Sequence, residues 1–103
     1  AVLGLKEPFT TAEGFGDKTL QEYGASVMKS NGLGAETTLK TENGLCFFEY
    51  QREDIQEESL YSCFTALYKT SDAFWLVRFT TSKKNMEQYR PEIIEWAKSV
   101  TFE

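Results

Sequence analysis

The stretch from Ala73 to Phe102 constrains this chain more than any other. Ala73-Phe74-Trp75-Leu76-Val77-Arg78-Phe79-Thr80 reads as a strand with no purely polar face, so it belongs inside a sheet rather than at its rim. A polar turn follows. Beyond it, Met86, Tyr89, Ile93, Trp96, Ala97 and Val100 fall within about a 100° arc at 3.6 residues per turn. Glu87, Gln88, Glu92, Glu95 and Lys98 face away. This helix starts after Asn85 as its cap, with Pro91 in the first turns, where a missing N–H costs little. A strand of this kind needs neighbours, and such a helix needs a sheet to cover.

The rest of the chain supplies them. Val2–Lys6 reads as a short strand, and residues 8–17 as a loop broken by Gly14 and Gly16. Thr19-Leu20-Gln21-Glu22 fits a capping box, in which the hydroxyl and the carboxylate each take an orphan backbone N–H. The helix it opens stops near Ser30 at Asn31-Gly32. Its core stripe is Leu20, Tyr23, Gly24, Val27 and Met28. Residues 36–42 and 45–52 flank Asn43-Gly44, a strong two-residue hairpin signal. That loop sets Leu39 opposite Phe48 and Thr41 opposite Cys46, with Cys46, Phe48 and Tyr50 on one face and Leu45, Phe47 and Glu49 on the other. A second hairpin, residues 60–69 and 73–81, turns at Ser71-Asp72. Tyr68 then pairs with Trp75, Ala66 with Val77 and Phe64 with Phe79, one continuous apolar face. The expected architecture is α+β, an α/β sandwich: a mainly antiparallel sheet of about five strands with two helices packed on it.

Composition narrows the function. Residues 1–103 are one domain by length. The net charge is −5, which argues against nucleic acid, because phosphates require a basic face. No apolar run approaches the roughly 20 residues that span a bilayer. The chain has no His, so the commonest general base and zinc ligand is missing. Without it, no Ser or Cys has the usual activating partner. The glycines make no phosphate loop. The expectation is therefore no enzyme, no cofactor, no metal site and no catalytic residue.

Several motifs resemble one group. These are Thr19-Leu20-Gln21-Glu22-Tyr23, Asn31-Gly32-Leu33-Gly34, Gly44-Leu45-Cys46-Phe47-Phe48-Glu49-Tyr50, Ala73-Phe74-Trp75-Leu76-Val77-Arg78-Phe79 and Trp96-Ala97-Lys98-Ser99-Val100-Thr101-Phe102. Together they resemble the PsbP-like fold group, over about residues 19–102. The resemblance implies the α+β sandwich, no shared catalytic motif, and a further N-terminal strand or hairpin that this chain lacks. It also implies a bacterial protein outside the cytoplasm, secreted or tethered as a lipoprotein.

Four local features invite a sharper reading. Cys46 and Cys63 are expected as two separate thiols, because facing both aromatic sides to the helices would point the sulfurs to opposite surfaces. Glu53, Asp54, Glu57 and Glu58 cluster at one hairpin tip but lack the spacing of a calcium loop. Arg78, with Arg52 and Glu49, could frame an anion pocket, or serve as structural ion-pair partners. Leu45, Phe47, Leu67, Leu76 and Phe74 would form an apolar sheet face turned away from the helices, covered either by a further N-terminal segment or by another protein docking on it. The function expected is a binding or structural module of the bacterial cell envelope. The alternative is a small-molecule carrier whose pocket is lined by Tyr23, Tyr50, Trp75, Tyr89 and Trp96, between sheet and helices.

Overall fold

The computed structural model describes residues 2–34, 37–54, 56 and 59–102, leaving aside the Asp54 side chain. Five strands form one antiparallel sheet: β1 Val2–Pro8, β2 Lys40–Glu42, β3 Leu45–Asp54, β4 Ser59–Lys69 and β5 Ala73–Ser82. Their order across the sheet is β1-β5-β4-β3-β2. Helix α1 spans Leu20–Ser30 and helix α2 spans Lys83–Ser99. The α+β class, the element order and the interior places of β4 and β5 are as the sequence implied.

Local chemistry fixes the elements. Thr19 and Glu22 close the capping box at 3.1 and 2.9 Å, and Gly32 ends the helix at φ +71°. Asn43 and Gly44 both take positive φ, so the two-residue turn twists with its strands. Thr41 lies opposite Cys46, as expected. The β4–β5 register also matches, with Tyr68 on Trp75, Ala66 on Val77 and Phe64 on Phe79.

The start of α2 differs from expectation. Its cap is Ser82, whose Oγ accepts from the Asn85 N–H at 3.2 Å. Strand β5 therefore runs straight into the helix with no intervening turn. Pro91 consequently lies in the helix interior, where it deprives the Glu87 carbonyl of its helical donor.

The larger correction concerns the faces. In the β3–β4 ladder Cys46 meets Leu67, Phe48 meets Thr65 and Tyr50 meets Cys63. Even-numbered residues of β3 thus share a face with odd-numbered residues of β4. The length of the β3–β4 connection sets this parity, and one residue's difference would reverse it. The aromatic sides of the two hairpins therefore look in opposite directions, and each has its own helix. Tyr23 and Val27 of α1 cover Cys46, Phe48, Tyr50, Cys63, Leu67, Phe74 and Leu76. Met86 and Ala97 of α2 cover Leu45, Phe47, Phe64 and Ala66. The molecule is three layers, helix–sheet–helix.

The expected apolar docking face does not exist. Leu45, Phe47, Leu67, Leu76 and Phe74 are all buried, at 5% exposure or less. Gly24 lets α1 lie close on this surface, since a Cβ there would stand 2.8 Å from Leu67 Cδ1. Phe74 is further enclosed by the segment between β1 and α1. Tyr23 stacks on it at 4.3 Å between centroids, and Phe9 and Phe15 meet it edge-on at 5.3 and 5.2 Å.

Candidate functional site

The two thiols are free, as expected, but not because they face apart. Both lie under α1. Cys63 pairs across from Tyr50, four residues along β3 from Cys46, a separation of about 13 Å along the strand. Burial pushes the Cys46 thiol up, which makes it a poor nucleophile. Thr80 Oγ1 lies 3.8 Å from Cys63 Sγ.

Arg78, Arg52 and Glu49 do not form one pocket. Arg52 Nη2 donates to the Asn31 carbonyl at 2.9 Å, and Arg78 Nη2 to Asn31 Oδ1 at 3.5 Å. Both guanidinium groups gather at the C-terminal end of α1, where the helix dipole favours cations. Glu49 points through the other face, to Arg90 of α2. Of the acidic tip, Glu57 and Glu58 lie outside the described residues, as does the Asp54 side chain. Among the described residues no group of three or more acids and cysteines could hold a metal.

The five aromatics of the carrier reading do not meet around one space. Tyr23 and Tyr50 are core residues on the α1 side. Tyr23 donates to Glu7 Oε1 at 2.8 Å, and its burial and that carboxylate push its phenol well above the usual range. Trp75 packs on Phe102 at 4.6 Å on the α2 side. Tyr89 and Trp96, expected as core, are 43% and 49% exposed. They flank the stripe that α2 actually buries, centred on Met86 and Ala97.

The sheet's two edges are unlike each other. The β2 edge is short and fully exposed, and Lys40 and Glu42 guard it with charge, a common protection against unwanted pairing. The β1 edge is seven residues long and, among the described residues, pairs with β5 on one side alone. Its charges and its proline, Lys6, Glu7 and Pro8, sit at one end, where Lys6 reaches Asp72 at 3.4 Å. The remainder, Val2-Leu3-Gly4-Leu5, is unguarded. Val2 is 63% exposed, Leu3 55% and Leu5 47%. On the α2 face Val2 lies opposite Phe79, which Trp96 meets edge-on at 5.0 Å. Tyr89 stands two helical turns before Trp96 on the same flank. On the α1 face Leu3 and Leu5 stand beside Arg78 and Leu76.

Among the described residues, five of the six large apolar side chains that stay exposed thus lie on β1 or on the helix flank toward it; the sixth is Leu60. Val2–Lys6 was legible as a strand, but its place at the rim, with Leu3 and Leu5 exposed, was not. Among the described residues no helix is long and apolar enough to cross a membrane. Compared with family models, curated proteins and solved structures, the chain matches none.

Proposed function

We propose that this chain is a non-enzymatic protein-binding module that accepts an extended, apolar segment of a partner protein along the open edge of β1. The observation that carries the reading is the concentration of exposed apolar side chains on and beside that edge, while the opposite edge is guarded. Strand addition supplies main-chain hydrogen bonds for affinity and alternate side-chain contacts for specificity. Here the incoming strand would bury Leu3 and Leu5 on one face and Val2 on the other, with the Phe79–Trp96 pair as a shelf. Each of the three is about half exposed, so completing its burial contributes about 1 kcal/mol. The PsbP-like resemblance supports a non-catalytic role and a place in the bacterial cell envelope.

The test is photo-crosslinking in the native cells. Benzoylphenylalanine replaces Leu5, Trp96 or, as a control, Leu60. Adducts to another chain from the Leu5 and Trp96 sites, and none from Leu60, are expected. Adducts from Leu60 alone, or from no site, would overturn the proposal.

A further inference from the structure

A second site lies at the far side of the sheet from β1 and has different chemistry. Strand β2 pairs only with Leu45, Cys46 and Phe47, so β3 runs on past it and Glu49 has no β2 residue beside it. The space left between β3, the segment leading into β2, and α2 is an open cavity of about 430 Å³. It is lined by Thr38, Lys40, Phe47, Glu49 and Arg90. That volume is in the range of small-ligand sites.

Its polar groups are unequally committed. Among the described residues Glu49 is the one carboxylate in the lining, and both its oxygens are occupied. Arg90 Nε donates to Oε1 at 2.7 Å and Nη2 to Oε2 at 2.8 Å. This bidentate clamp fixes the guanidinium, so little side-chain entropy remains to be lost on binding. It leaves Arg90 Nη1 outside the pair. Lys40 has no carboxylate within salt-bridge distance among the described residues. Glu87, one turn before Arg90, adds to the field holding that cation charged but does not line the cavity. What the cavity offers a visitor is therefore donors: the Lys40 ammonium, Arg90 Nη1 and the Thr38 hydroxyl. Its apolar wall is the Phe47 ring, which stands directly across the ladder from Lys40 and packs on Phe64 at 4.9 Å.

A ligand that fits must bring acceptors, a negative charge and an apolar body. We propose that this cavity binds a small organic oxyanion, a carboxylate or a phosphate ester, with Lys40 and Arg90 on its charge and Phe47 against its body. The site is independent of the β1 edge, and neither proposal needs the other.

The test is an NMR titration of the isotope-labelled chain at low salt with sodium benzoate, sodium acetate and inorganic phosphate. Benzoate should shift the amides of Lys40, Phe47 and Arg90 saturably. Lys40→Ala should weaken it about tenfold, the scale of one charge-assisted hydrogen bond, and Lys40→Arg should restore it. Lys40 is exposed, so its removal leaves the fold intact, which unchanged shifts on β4 would verify. Tighter binding of benzoate than of acetate supports the Phe47 contact. Phosphate binding that is lost in Lys40→Ala supports the same oxyanion chemistry with the ester as its source. The proposal is overturned if none of the three saturates by about 20 mM, if Lys40→Ala binds as the parent does, or if acetate equals benzoate.

Discussion

Replacing Phe74 by Ala probes the three-layer arrangement at its most demanding point. The ring is fully buried on the α1 face. It stacks on Tyr23 and takes the edges of Phe9 and Phe15. Truncating a buried Phe costs about 3–5 kcal/mol through lost transfer energy and the cavity left behind. Three aromatic contacts, each worth about 0.5–1.5 kcal/mol, place this position toward the upper end. A domain of this size has about 5–15 kcal/mol in hand, so Phe74→Ala should remove a third or more of its stability. The melting temperature should fall by about 15–40 °C, from about 4–8 °C per kcal/mol. Urea unfolding followed by tryptophan fluorescence and far-UV circular dichroism measures it. Phe79→Ala is the comparison: that ring is only partly buried and, among the described rings, meets Phe64 and Trp96 at 6.4 and 5.0 Å. It should cost less than half as much. A loss below about 1 kcal/mol for Phe74→Ala would refute the reasoning, because that is the cost expected of an exposed ring.

Other consequences are simpler to read. Thiol counting should give two reactive groups in denaturant and almost none in the native protein, since Cys46 and Cys63 are both buried. Thr19→Ala should cost about 1 kcal/mol through the lost cap, seen in the urea midpoint with the slope unchanged. Gly44→Ala should cost about 1–2 kcal/mol, because Gly44 sits at φ +83° and an L side chain resists that backbone. Tyr68 is pushed up to about 12 by burial, and its hydroxyl donates to the Ala97 carbonyl at 2.8 Å. The protonated phenol is the form the fold favours. That stability is whole below pH 10, the ordinary tyrosine value, and drains away as pH rises from about 10 to 12. Urea midpoints across that window should fall, and Tyr68→Phe should flatten the decline.

Where local rules act alone, the chain was easy to read. Thr19 and Glu22 name a helix start, Asn43-Gly44 a turn, and Ser71-Asp72 a hairpin whose register then follows by counting. What failed depended on one integer. The 53–59 connection carries no turn signal strong enough to fix its length, so the parity of β3 against β4 stayed open. An assumed parity put Leu67, Leu76 and Phe74 in solvent, when they are the floor under α1. The two-sided apolar character of Leu45-Cys46-Phe47-Phe48 already pointed to a covered sheet, since a strand with one wet face alternates more cleanly. Ser82 displaced Asn85 as the cap because both residues cap well and strand β5 extends further than its apolar run. Neither the β1 edge nor the Lys40–Arg90 cavity has a sequence motif. Each comes from what the topology leaves unpaired: a strand with one neighbour, and a strand that outlasts its partner.

Residue-by-residue amide hydrogen exchange on the isolated chain bears most directly on the openness of β1. Amides of Cys63 to Leu67 on β4, flanked on both sides, should exchange only through global unfolding. Along Val2 to Glu7 the protection should alternate, with the N–H groups aimed at β5 slow and the outward ones faster by orders of magnitude. Uniform protection along β1 equal to that of β4 would mean the edge is already occupied, and the docking surface proposed for this protein would not exist.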